Sequence, residues 1–195
     1  MGLADDIRAC RLCPLWERQP EGGQHVPATV GARYAPGGVG VLLDAPDYYE
    51  VMAGHLMTGR KSSGFTRMVE EAGLALDELL LLASVRCQPV NNRLRDFPEA
   101  VSNCAGWTAA ELDAYAPKVL MVMGSAAIKT VYGTEATVQG SRGAFLSTPA
   151  SHAWGHRVVT CTYHPSAASF DSSVEPMIIA DLRAAKRAAM SLANE

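Results

Sequence analysis

Short continuous apolar runs alternate along the chain with longer stretches of helical spacing. Val39 to Asp44 (VGVLLD), Leu79 to Val85, Lys118 to Met123 and His156 to Thr162 are the runs, and they suit strands buried in a parallel sheet. Between them Gly64 to Gly73 has helical periodicity and a glycine stop, and Pro98 opens a helix through Tyr115. Ala126 to Tyr132 is a further predicted helix, and Glu175 to Ala193 closes the chain as an amphipathic one. This alternation predicts an α/β fold with helices on both faces of a parallel sheet. The N-terminal segment differs. After Cys10 and Cys13 comes QPEGGQHVPATVGARYAPGG, whose Gly and Pro content predicts irregular coil on the surface. One domain of 195 residues is expected, with an N-terminal extension over about residues 1–38.

Composition narrows the class. Nearly half the residues are apolar and under a fifth charged, as in packed globular proteins. No apolar run is long enough to span a membrane. MGLADDIRAC has early aspartates and no apolar core of a secretory signal, so the cytoplasm is the expected compartment. A net charge of -3 gives no global attraction to nucleic acid. A local basic cluster would serve instead, and Arg86, Arg93, Arg95, Lys129 and Arg142 all fall near polar turns.

The candidate chemistry lies in cysteines and strand ends. Cys10-x2-Cys13, Cys87 and Cys104 offer soft thiolates that suit an iron-sulfur cluster or zinc. Cys161, inside an apolar run, reads as a core residue. Open α/β sheets place ligands at the carboxyl ends of their strands. The run ending at Asp44 leads into Ala45-Pro46-Asp47, and the last run leads into Tyr163-His164-Pro165-Ser166. Gly124-Ser125 makes a tight turn before a helix whose first amides could hold a phosphate. Asp47 reads as a residue that satisfies loop amides, and His55 as a candidate site residue in an inserted loop.

Taken in order, these segments resemble the iron-sulfur uracil-DNA glycosylases known as family 4. That family pairs an N-terminal C-x2-C with two later cysteines around a CRPPxNR-like segment; here Cys87-Gln88-Pro89-Val90-Asn91-Asn92-Arg93 runs on to Cys104. Its GEAPGxxED-like motif corresponds to Leu43 through Glu50, its TGRPFVG to Thr58 through Gly64, and its Leu-Gly-Ser turn to Met123-Gly124-Ser125. Its RG pair corresponds to Arg142-Gly143 and its terminal YHPS to Tyr163 through Ser166. The resemblance implies a three-layer α/β/α sandwich around a four-stranded parallel sheet, and a [4Fe-4S] cluster on Cys10, Cys13, Cys87 and Cys104. It implies DNA as partner, probed one flipped nucleotide at a time, and a chain that works as a monomer. Asp44 and His164 become the implied catalytic pair, Ala45, Pro46, Ser62 and Ala83 the base pocket, and Gly124, Ser125, Arg142 and Ser166 the phosphate contacts.

Three departures bear on the base. Ser62 stands where the family stacks a phenylalanine, Ala83 where it reads the pyrimidine edge with asparagine, and Val51 to Met57 is an insertion. The expectation is therefore a DNA-base-processing enzyme of altered specificity, a glycosylase acting on uracil or a modified base. The alternatives are an enzyme that remodels a modified base without excising it and a non-catalytic binder of DNA or damaged bases.

Overall fold

The computed structural model describes residues 2–132, 135–148 and 157–192. Its strands are β1 (Thr29–Val30), β2 (Val39–Leu43), β3 (Leu80–Ala83), β4 (Val119–Met123), β5 (Leu146–Ser147) and β6 (Val158–Thr162). Its helices are α1 (Leu3–Arg8), α2 (Tyr48–Ala53), α3 (Arg60–Glu71), α4 (Pro98–Tyr115), α5 (Ser125–Tyr132), α6 (Val138–Ser141) and α7 (Val174–Leu192). The sheet order is β1-β3-β2-β4-β6-β5. Its centre, β3-β2-β4-β6, is the expected set of four parallel strands. The sheet nevertheless has six strands, because β1 and β5 pair antiparallel at the two edges. Each edge strand is two residues long, too short to carry an apolar run.

Side chains alternate across the central strands and so build two cores. Val39, Val41 and Leu43 of β2, Ala83 of β3, and Met121 and Met123 of β4 face one side with Phe65 and Val69 of α3 and Ile178 and Leu182 of α7. Leu42, Leu80, Leu82, Leu120, Val122 and Cys161 face the other with Leu112 of α4 and Ile128 of α5. Both faces are covered, which is why the strands read as unbroken apolar runs. The layers are those of the α/β/α sandwich, and Cys161 is a core residue. His156 and Ala193, expected at element ends, lie outside the described residues. Among the described residues no helix is long and apolar enough to cross a membrane.

The N-terminal segment is tied down by one buried ion pair. Arg86, just past β3, is 1% exposed and donates to Glu111 Oε2 at 2.5 Å and Thr108 Oγ1 at 3.1 Å, both on α4. Glu111 Oε1 accepts the Ala28 amide at 2.6 Å, and the Arg86 carbonyl accepts the Val26 amide at 2.8 Å. Arg86 is therefore no part of a surface basic cluster, the role its neighbouring polar turn suggested. Its short reach to a carboxylate on α4 takes it inward. Arg93 and Arg95 are exposed but both pair with Asp96.

Removing one member of a buried pair strands the other's charge. Glu111→Ala should cost about 3–5 kcal/mol in urea denaturation. Replacing both residues, as Arg86→Met with Glu111→Leu, should recover most of that loss.

Candidate functional site

The C-terminal ends of β2, β4 and β6 lie side by side, and each carries a residue singled out by sequence. Asp44 leaves β2 with its backbone clamped: its carbonyl accepts the Val85 amide at 3.1 Å, and the Leu43 carbonyl accepts the Ser84 amide at 2.8 Å. Its side chain turns to the neighbouring strand end, where Oδ1 accepts the Ala127 amide at 2.9 Å and the carboxylate also takes the Ala126 amide. Both amides belong to the first turn of α5. The helix terminus expected to hold a phosphate thus carries the chain's own carboxylate. Gly124 makes this approach possible, because a Cβ there would lie 2.5 Å from Asp44 Oδ2 and its φ is +109°. Ser125 is exposed at the start of α5.

Burial pushes the Asp44 carboxyl above the usual aspartate range, and the two amides offset that only in part. Ionised Asp44 is therefore a charge the fold holds at a cost, offset in part by the α5 amides.

His164 caps the turn after β6. Its Nδ1 accepts the Ser166 amide at 3.2 Å and lies 2.7 Å from Ser166 Oγ. A nitrogen that accepts an amide carries no proton, so in the neutral ring Nε2 is the protonated one. Ser166 acts on the imidazole, as its positioning partner.

The pocket residues are distributed unevenly. Pro46 is buried and Ala45 half-buried. Ser62 lies in the first turn of α3, its hydroxyl donating to the Gly59 carbonyl at 2.6 Å. Ala83 is 1% exposed, sealed in the core opposite Leu43. Arg142 forks onto Asp181 of α7 at 3.0–3.2 Å, and Thr162 Oγ1 donates to the same carboxylate at 2.6 Å. Its guanidinium is thereby engaged in holding α7 beside the β6 end, which a phosphate contact would have to share. Asp47 caps α2 by accepting the Tyr49 and Glu50 amides, as expected. His55 lines an apolar cavity of about 280 Å³ against the start of β3, away from the strand ends that carry Asp44.

The cysteines gather from four elements. Cys10 follows α1, Cys13 precedes a single 3-10 turn, Cys87 follows β3 and Cys104 lies on α4. Burial pushes the Cys87 thiol up, and the charges of Cys104, Cys13 and Cys10 add to it, so the four lie within electrostatic reach of one another. Cys104 is pushed up by burial as well, against the Arg86 amide and guanidinium. Trp107 Nε1 donates to Cys10 Sγ at 3.3 Å. Among the described residues no three His, Cys, Asp or Glu side chains are gathered as a single metal ion requires. Arg86 Nε and Nη1 are buried without a protein partner among the described residues. A buried cation with two idle donors beside a soft-thiol set suits an anionic group held by those cysteines.

Trp107 and Glu111 went unremarked in the sequence. The signal was there in part: Cys104, Thr108 and Glu111 fall at i, i+4 and i+7, a polar stripe on the buried face of α4.

A mostly parallel sheet under helices on both faces, with a carboxylate at the end of β2 and a histidine past the end of β6, one strand apart across β4, defines an α/β/α scaffold with polar residues at its strand ends. The sequence profile of the uracil DNA glycosylase superfamily matches residues 41–183, and the chain belongs to that superfamily. It is 24% identical over 195 residues to a type-4 uracil-DNA glycosylase of Saccharolobus solfataricus, covering 97% of this chain and 86% of that protein. It is 26% identical over 170 residues to one from Archaeoglobus fulgidus, covering 85% and 80%, and 24% identical over 165 residues to one from Thermotoga maritima, covering 84% and 80%.

Two variants check the geometry. Gly124→Ala should displace the Asp44 carboxylate and cost about 1–3 kcal/mol by denaturation, through the clash and the positive φ. Asp44→Asn keeps an oxygen for the Ala127 amide and removes the charge. Because folding raises the Asp44 pKa, the folded chain binds the proton more tightly, and stability falls as pH rises from the ordinary aspartate value to the raised one. The Asn variant should therefore melt no lower than the parent at pH 7, with any advantage shrinking as acid neutralises Asp44.

Proposed function

We propose that the chain is a DNA-base-processing hydrolase that cleaves the N-glycosidic bond of a nucleotide turned out of the strand. Membership in the superfamily and relatives named as uracil-DNA glycosylases support the reading. The observation that carries it is the Asp44 carboxylate, fixed at the end of β2 and raised in energy by burial, with His164 past the end of β6, across β4, on the same side of the sheet.

Cleavage builds positive charge on the sugar and negative charge on the departing base. Asp44 has lone pairs beyond those used by α5, enough to orient a water and to offset the sugar's charge. His164, with its proton on Nε2, donates to an oxygen of the base as it leaves. Tyr48 and Tyr49, beside the Asp44 loop, and Phe170, 92% exposed beyond the His164 turn, offer faces on which neighbouring bases stack. Cys10, Cys13, Cys87 and Cys104 would hold a [4Fe-4S] cluster, which when bound ties the N-terminal segment to α4 and the loop after β3. Ser62 in place of an aromatic points away from uracil and toward another base, whereas Ala83, sealed in the core, contributes nothing to the pocket. The enzyme works on DNA as a cytoplasmic monomer in this reading.

Mass spectrometry of free bases and nucleosides, after incubation of anaerobically purified protein with uracil-containing and base-modified DNAs, tests it. A released base is expected, with the rate falling about 10²–10⁴-fold in Asp44→Asn and about 10²–10³-fold in His164→Ala. An Asn variant as active as the parent would make Asp44 a helix cap and nothing more. Altered nucleosides with intact glycosidic bonds would move the assignment to base remodelling, and binding without turnover to a non-catalytic role. Since the ionised carboxylate is the working form, activity should fall on acidification at a pH above the ordinary aspartate range.

A further inference from the structure

Cys10 and Cys104 reach the thiol set by different routes. Cys104 is carried by α4, whose middle is held to the end of β3 by the Arg86–Glu111 pair. Cys10 stands in coil just past α1, where its amide donates to the Ile7 carbonyl at 3.1 Å. Its side chain is tied to α4 by Trp107, whose indole Nε1 donates to Cys10 Sγ at 3.3 Å. Trp107 follows Cys104 at i, i+3, so the two share one face of the helix. One helix thus supplies one thiol and a donor to a second.

The other sulfurs meet surroundings of the same sign. The Arg86 amide donates to Cys104, and the Arg86 guanidinium acts on that thiol as a positive charge. Two of its nitrogens, Nε and Nη1, are buried without a protein partner among the described residues. The Arg11 charge acts on Cys87, and Arg11 is itself held by the Cys10 carbonyl at 2.7 Å and over the Trp16 ring at 4.2 Å. Donors and positive charge at ligand sulfurs stabilise whichever state of a bound cluster is the more negative. The reduced state is that one, by a single electron.

We propose that Trp107 is a positioning residue for the cluster, its indole N–H fixing Cys10 as a ligand and biasing the bound cluster toward its reduced state. This role rests on the reading of Cys10, Cys13, Cys87 and Cys104 as cluster ligands. It does not depend on which base is cleaved at the strand ends that carry Asp44 and His164.

Protein-film voltammetry and resonance Raman spectroscopy of anaerobically purified protein test it. Trp107→Phe keeps an aromatic ring and removes the N–H. Its midpoint potential should fall by about 59 mV, a tenfold loss in the reduced-to-oxidised ratio at a fixed potential. The sign separates donation from packing: a smaller ring that only admitted water would raise the potential, because water also stabilises the more negative state. In the parent, the iron–cysteine stretching bands should shift between ordinary and deuterated water, and Trp107→Phe should lose part of that shift. Iron lost from a variant that keeps the parent's circular dichroism would support the fixing of Cys10. No isotope shift in the parent, or a Trp107→Phe potential equal to or above the parent's, would overturn the role. A parent that holds no iron removes the cluster reading and this role together, whereas an iron-loaded parent with either negative result removes this role alone.

Discussion

The buried pair between Arg86 and Glu111 is the constraint on which the rest of the arrangement hangs. A guanidinium and a carboxylate, each 1% exposed, are costly to bring out of water, and they persist only where their geometry is fixed from several sides. Here that geometry joins three parts of the chain: the end of β3, the middle of α4, and the segment at Val26 and Ala28. Cys87 and Cys104 ride on the first two parts, and Cys10 and Cys13 belong to the segment that the third part leads back to. The ion pair thus fixes the two elements that carry Cys87 and Cys104 against one another. Apolar packing alone would bury these elements without fixing their relative positions so narrowly.

A second constraint acts at the sheet edge. Helix N-termini attract anions, and α5 takes one from within the chain. The arrangement is tight enough to forbid a side chain at residue 124 and dry enough to raise the Asp44 carboxyl. Stability and chemistry pull in opposite directions there. A neutral residue would satisfy the fold better, whereas the charge is what the proposed reaction would use. The loop that follows is secured separately. Glu50 accepts the Asp47 amide at 2.8 Å and the Met57 amide at 2.6 Å, so the segment that follows α2 is clasped back onto it.

Much of this was legible from residue order. The unbroken apolar runs marked β2, β3, β4 and β6 because both faces of each are covered, and Pro98 to Tyr115 marked α4 to the residue because proline starts a helix well. The motif order carried the superfamily, and the strand-end rule brought Asp44 and His164 to one edge. Two-residue β1 and β5 left no pattern, since their pairing comes from neighbours already in the sheet. Arg86 misled because an arginine near a polar turn looks exposed until the fold brings a carboxylate within reach, here Glu111.

The sequence by itself determined the layered α/β architecture, the strand ends that carry Asp44 and His164, and the thiols, because periodicity, strand-end position and donor type are local properties. Only the tertiary structure determined which charges are spent on one another, that Asp44 turns to α5, and that Ala83 lies sealed in the core. Those outcomes depend on distances between residues far apart in the chain, and on how much water each one loses when they meet.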